Sequence, residues 1–160
     1  MFEELSLHIL DIAMNSLAAG AKTVHIEVQE DRQRDRLVIR VRDDGRGMDE
    51  AALERVLLQN RSSKQSRKKG IGLGLALLRQ TCEMCGGRFQ VRSAPGRGTT
   101  VTASMQSSHI DRPPLGDLDS TIMALCAANP DVDVRLNYRS DGQNFEFSSR
   151  ELTSKGKVCV

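Results

Sequence analysis

The sequence predicts an α+β fold, a two-layer sandwich with helices on one face of a mostly antiparallel sheet. Three observations predict it. Segments with apolar residues at helical spacing take turns with pairs of short alternating segments. Each pair is joined by a polar or Gly-containing turn, as a hairpin requires. The chain's 160 residues give room for one domain of ordinary size with a small appendage.

The elements follow in order. Leu5, Ile9, Ile12, Ala13 and Leu17 recur at helical spacing, and Gly20 supplies the stop. Val24, Ile26 and Val28 alternate with polar residues, which predicts a half-buried strand. Residues 31–36 form a charged turn, and residues 37–42 return as the second strand of a hairpin. A Gly-punctuated loop covers 43–48, after which Asp49 caps a short helix to about residue 58. Residues 59–69 lack aliphatic side chains and carry five Lys or Arg, which predicts a mobile loop. A strongly apolar helix spans 72–85 and ends at Gly86-Gly87. Residues 88–93 and 99–105 make a second hairpin around a turn at 94–98. Helix, hairpin, helix, loop, helix, hairpin: that order puts the helices on one side of the sheet.

After about residue 106 the texture changes. Arg112-Pro113-Pro114 is a linker, 117–128 a helix closed by Asn129-Pro130, and 132–138 and 144–147 two strands joined at 140–142. We therefore divide the chain into a main domain, 1–107, and a small βα extension, 108–160, packed on it.

Composition narrows the class. Apolar residues are 39% of the chain, but Trp is absent and Phe and Tyr number four and one, so the core is aliphatic. The formal net charge of +2 gives no general case for nucleic acid or membrane. No apolar run reaches the roughly 18 residues that a spanning helix needs. Met1-Phe2-Glu3-Glu4 is acidic and lacks the basic start of a signal peptide, so a soluble cytoplasmic protein is expected. In that setting Cys82, Cys85, Cys126 and Cys159 are free thiols. Cys82 and Cys85 form a C-x-x-C, which a metal would need two further ligands to use; half-buried thiols packing a helix is the better reading.

Three separated motifs carry the chemistry. Asp11 and Asn15, four apart, share one face of the first helix, with His8 three residues earlier. A solvated polar face is one reading. The other gives Asn15 as a hard oxygen ligand for Mg²⁺, with Asp11 holding or deprotonating a water. Next, Asp43-Asp44-Gly45-Arg46-Gly47 places a carboxylate at a strand end before two glycines. That suits a ligand needing one fixed acceptor and close backbone approach, such as the exocyclic amine of adenine. Third, Gly70-Ile71-Gly72-Leu73-Gly74-Leu75 lets exposed N–H groups approach phosphate oxygens at the start of a helix. It is neither a P-loop nor a dinucleotide fingerprint, because the required spacings are absent.

In this order the motifs resemble the N, G1 and G2 boxes of the GHKL family, which comprises histidine-kinase catalytic domains, gyrase and MutL-type ATPases. Asn15-Ser16-Leu17-Ala18-Ala19-Gly20-Ala21 matches the first, and Ser93-Ala94-Pro95-Gly96-Arg97-Gly98-Thr99 is similar to the family's closing hairpin. The resemblance covers about residues 5–105. It implies ATP and Mg²⁺ as ligands, with Asn15 on the metal and Asp43 on the adenine amine. Gly45 and Gly47 would line the base pocket, with Thr99 beside it through water. Gly70, Gly72 and Gly74 would offer N–H groups to the phosphates. Arg61, Lys64, Arg67, Lys68 and Lys69 resemble the ATP lid, and Lys64 is taken as a γ-phosphate contact.

The match also limits what is expected. A helix with a phosphoacceptor histidine is not expected before the N box, and His8, His25 and His109 are poor substitutes. Ala18 stands where the kinase branch has Lys, and the aromatic F box is absent. The N box looks more like the MutL branch, whose general-base Glu is here Asp11, shorter by roughly 1.5 Å of reach. Residues 109–117, His-Ile-Asp-Arg-Pro-Pro-Leu-Gly-Asp, are similar to the extensions of small stand-alone bacterial ATP-binding proteins of the family. The resemblance implies a nucleotide-dependent regulatory or signalling module acting through a protein partner. The alternatives are a histidine or serine kinase domain acting in trans on a separate phosphoacceptor, and a slow MutL-like ATPase. Near-neutral charge argues against a nucleic-acid partner.

Overall fold

The computed structural model describes residues 4–58 and 73–149. In chain order the elements are α1 (Leu5–Ala18), β1 (Thr23–Asp31), β2 (Arg36–Asp43), α2 (Glu50–Leu58), α3 (Leu73–Met84), β3 (Arg88–Ala94), β4 (Gly98–Gln106), α4 (Leu118–Ala128), β5 (Asp133–Ser140) and β6 (Gln143–Ser148). The strands form a single six-stranded sheet in the order β3-β4-β2-β1-β5-β6. Its pairings are antiparallel except for β1 with β5, which run parallel. The expected α+β sandwich with a mostly antiparallel sheet is the fold that forms.

Alternation along the strands explains the layering. Val24, Ile26 and Val28 of β1 face the same way as Leu37, Ile39 and Val41 of β2, and all six are buried. Val101, Ala103 and Met105 continue that face on β4, as Val134 and Leu136 do on β5. Onto it pack Leu5, Ile9 and Ile12 of α1, Leu75 and Leu78 of α3, and Ile122 and Leu125 of α4. The core is aliphatic, as the composition requires.

The segment after residue 108 feeds the same sheet and the same helical layer. Strand β5 pairs with β1 along its length, from Thr23 with Asp133 to Glu30 with Ser140. The 109–117 segment closes the first helix. Leu5 N donates to Pro114 O at 2.8 Å and Ser6 N to Leu115 O at 2.9 Å, satisfying donors that a helix start leaves unpaired. Asp117 then caps α4, its carboxylate accepting from Ser120 N at 3.0 Å and Ser120 Oγ at 2.7 Å. Asp49 accepts from Ala52 N at 2.7 Å and so starts α2 as expected.

Cys82 and Cys85 are free and fully buried against the sheet, deeper than the half-buried thiols expected. Burial pushes the Cys82 thiol up to about 12. Among the described residues no cluster of His, Cys, Asp and Glu could hold a metal ion, and no helix is long and apolar enough to cross a membrane.

Candidate functional site

Between α1 and the edge of the core lies a cavity of ≈ 290 Å³. Helix α1 contributes Ile12, Asn15 and Ser16 to its wall, Asp43 and Thr99 come from β2 and β4, and Met48, Val56 and Leu75 are among the other lining residues. The lining is mostly apolar, with a few polar groups aimed inward, as a small-molecule site requires.

Asp43 is the fixed point. It continues the inward series Leu37, Ile39, Val41, so the pleat of β2 delivers a carboxylate where the preceding residues deliver core side chains. It is only 9% exposed. One oxygen, Oδ1, accepts from Gly45 N at 2.9 Å and Thr99 N at 3.2 Å. The other, Oδ2, accepts from Ser16 Oγ at 2.6 Å. A buried carboxylate needs such donors, and these three also fix its direction.

The loop after Asp43 is pinned from several sides. Asp44 Oδ1 accepts from Lys22 N and Thr23 N at 2.8 and 2.9 Å, and the Thr23 and Lys22 amides hold its carboxyl below the usual range despite some desolvation. Arg46 N donates to Ala19 O at 2.9 Å, and Gly96 N donates to Arg46 O at 2.7 Å. Gly47 has φ of +71°, and a Cβ there would lie 1.9 Å from Ala94 O. Gly47→Ala is therefore expected to cost about 2–4 kcal/mol of stability, from left-handed strain and backbone overlap together. Chemical denaturation measures it, and an unchanged midpoint would contradict this packing.

The sequence-predicted residues that fall among the described ones each have a definite place. Asn15, Asp43, Gly47 and Thr99 line the cavity. Gly45 stands behind Asp43 as its N–H donor, pressed against Ala19. Thr99 reaches Asp43 directly through its N–H, and its hydroxyl shares a 2.8 Å hydrogen bond with Ser93. Asp11 sits one turn before Asn15, outside the cavity wall, against the first turn of α3; a Cβ on Gly74 would come within 1.7 Å of Asp11 Oδ2. Burial raises the Asp11 pKa above the usual carboxylate value. Lys64, Gly70 and Gly72, with the rest of the proposed lid, lie outside the described residues.

Asn15 carries the other informative atom. Its Nδ2 is buried and has no hydrogen-bond partner among the described residues. Side-chain amide orientation is interchangeable by rotation about the terminal bond, so either end can face the cavity. An unpaired buried amide costs about 1–3 kcal/mol. Beside a cavity, that cost marks a group that a ligand would satisfy.

Sequence reasoning missed Ser16, Ser93 and Met48. Ser16 follows Asn15 directly, yet its partner is 27 positions away. Ser93 Oγ receives Met48 N at 2.8 Å and so ties the loop to the closing hairpin. A serine at an inward strand position was the available signal.

His8, on the same helix, is only 2% exposed and is absent from the cavity wall. Burial pushes its pKa down to about 4. The unfolded chain binds this proton near pH 6.5 and the folded chain does not, so stability is full above 6.5 and falls as pH drops toward 4. The contribution reaches about 3 kcal/mol at the acid end. Denaturation midpoints at pH 5 and 7 should differ less in His8→Leu than in wild type; equal differences would exclude His8.

Comparison with known proteins shows the family. The sequence profile of the family described as histidine kinase-, DNA gyrase B- and HSP90-like ATPases matches residues 1–109. The chain belongs to that family. This ATPase-family chain is 36% identical over 97 residues to the non-motile and phage-resistance protein of Caulobacter vibrioides, covering 59% of the chain and 12% of that protein. It is 32% identical over 105 residues to the phytochrome-like protein Cph1 of Synechocystis sp., covering 62% and 14%. The autoinducer 2 sensor kinase/phosphatase LuxQ of Vibrio parahaemolyticus aligns over 162 residues at 24% identity, covering 98% of the chain and 19% of that protein. The chain thus spans less than a fifth of these relatives' lengths. Among solved structures, the Aquifex aeolicus MutL ATPase domain complexed with ADP matches with a TM-score of 0.53 at 16% identity, over 97% of this chain and 69% of that one. The N-terminal domain of a DNA repair protein matches with a TM-score of 0.59 at 14% identity, over 91% and 52%. At such identities the likeness is one of fold.

Proposed function

We propose that the cavity takes the adenine of ATP with Mg²⁺ alongside, and that this family member is a nucleotide-dependent regulatory or signalling module acting through a protein partner. One observation carries the nucleotide reading: Asp43, a buried carboxylate held by three donors at the wall of an apolar slot. A purine ring suits the apolar walls, and its amine suits a fixed acceptor.

Asn15 fits the metal. It is the cavity's unsatisfied buried amide, and with its oxygen turned inward it is a hard ligand of the kind Mg²⁺ takes. Magnesium, when bound, would offset phosphate charge and orient the tail. The chain's own residues do the rest. Asp43 accepts from the base, while Ile12, Met48, Val56 and Leu75 keep water from it. By resemblance to the family, Gly70, Gly72 and Gly74 would offer N–H groups to the phosphates, and Lys64 would contact the γ-phosphate.

The test is calorimetric titration of ATP with magnesium and with EDTA. Wild type should bind about tenfold more tightly with magnesium, and Asn15→Ala should bind with its EDTA affinity in both buffers. Magnesium dependence that survives in Asn15→Ala would remove Asn15 from the metal.

A second reading is favoured by similarity to proteins named as sensor kinases: phosphotransfer in trans to a separate acceptor. Incubation with γ-labelled ATP and candidate partners separates the two. Label on the partner means a kinase; nucleotide-dependent capture without label means a switch.

A further inference from the structure

The helices cover one face of the sheet, and the side chains of the opposite face follow from the same alternation. Arg36, Arg40 and Arg42 of β2 point there, in register with Thr100, Thr102 and Ser104 to Gln106 of β4 on one side and with His25, Glu27 and Asp31 of β1 on the other. Arg88 and Arg92 of β3 lie on that face, as do Arg135 and Arg139 of β5. Seven arginines thus share one sheet surface with four carboxylates: Glu27, Asp31, Asp133 and Glu146. The formal net charge of +2 for the whole chain does not show this, because a total says nothing of where the charges lie.

Three of the arginines are engaged within the face. Arg135 Nε lies 2.8 Å from Asp133 Oδ2, and Arg40 Nη1 lies 3.6 Å from Glu27 Oε2. Arg42 donates to His25 Nδ1 at 3.0 Å, which requires that imidazole nitrogen to be unprotonated. Arg36, Arg42, Arg88, Arg92 and Arg139 have no carboxylate within ion-pair distance among the described residues, and all five are exposed.

We propose that this arginine-bearing sheet face is a docking surface for an acidic protein partner. Charge complementarity selects the occupant. The free cations are guanidinium forks, whose geometry matches carboxylates in pairs and which are enriched at protein interfaces. Single-stranded nucleic acid is disfavoured because the face carries no Phe, Tyr or Trp on which a base could stack, and the imidazole of His25 is held by Arg42. Glu27, near the centre of the face, opposes a phosphate backbone but can pair with a partner's basic residue. The face is also the one turned away from the nucleotide cavity, whose strand residues Asp43, Thr99 and Val101 point to the helical side. Docking there leaves the cavity open, so the inference does not depend on the nucleotide reading.

The experiment uses the full chain with poly-L-glutamate as probe and duplex DNA of matched charge as competitor, at low and at physiological salt. Polyglutamate should bind with a salt-dependent affinity that falls about tenfold or more in Arg36→Glu/Arg92→Glu/Arg139→Glu, with ATP affinity unchanged. The matching Arg→Gln triple, with its circular dichroism compared to wild type, should lose part of the binding and guards against misfolding. Polyglutamate binding that is unchanged in both triples, or lost only in Lys64→Glu, overturns the proposal. Tighter binding of the DNA competitor overturns it in favour of a nucleic-acid surface.

Discussion

Asp43→Asn is expected to weaken ATP binding by about 100-fold, close to 2.7 kcal/mol. The substitution keeps shape and removes charge. Asp43 accepts three hydrogen bonds, from Gly45 N, Thr99 N and Ser16 Oγ, and an amide has only one accepting end. Whichever way the amide turns, its NH₂ group confronts a donor, and a purine amine meets a weaker or misdirected acceptor. Hydrogen bonds to a charged group are worth about 1.5–3 kcal/mol each, so losing one or two gives the stated loss. The same argument predicts a lower melting temperature, because a buried donor is left unpaired. Affinity and melting temperature should therefore fall together, and a nucleotide without the exocyclic amine, such as ITP, should bind wild type nearly as poorly. If ATP affinity survives in Asp43→Asn, this carboxylate is not the base-reading group.

Asp11→Asn is expected to have opposite effects on turnover and on stability. Burial raises the Asp11 pKa, so the folded state holds its proton more tightly than the unfolded chain. For a carboxylate shifted upward, the destabilising contribution is absent at low pH and fully present above the folded pKa. At pH 7 the charged form is therefore a cost, and the neutral isostere should raise the melting temperature. ATP hydrolysis, if Asp11 positions or deprotonates the attacking water, should fall by about 10²-fold, the low end of what a general base supplies. The wild-type rate should itself be slow, because a shorter carboxylate reaches less far. Equal turnover in wild type and variant would take Asp11 out of the mechanism. Gly74→Ala gives an independent check, since its methyl group would displace the Asp11 carboxylate and should affect turnover in the same direction.

The fold was legible where local pattern decides it. Val24, Ile26 and Val28 alternate, and Leu5, Ile9 and Ile12 recur at helical spacing, so element type and buried face follow directly. The parallel pairing of β5 with β1 was not legible. A strand's partner across a long connection depends on the completed sheet, and neither strand encodes the other. For the same reason residues 109–117 gave no role in the sequence: the carbonyls of Pro114 and Leu115 acquire one only when α1 lies beside them.

The candidate site divides in the same way. Asp43 was readable as a carboxylate at a strand end followed by glycines, and Asn15 by its helical phase. Ser16 and Ser93 were not, because each acts through a partner brought near only by folding. The arginine face lay between these cases. Its alternation is visible in β2 alone, but its extent appears only when β3, β2 and β5 share one sheet.

The central claim is that the slot beside Asp43 holds adenine while Asn15 faces the metal-bound phosphates. The most direct measurement is a crystal structure of the chain with a non-hydrolysable ATP analogue and magnesium. The account predicts the adenine amine within hydrogen-bond distance of Asp43 and an Asn15 oxygen on the metal. A nucleotide bound elsewhere, or a cavity filled by the chain's own side chains at saturating analogue, would contradict it.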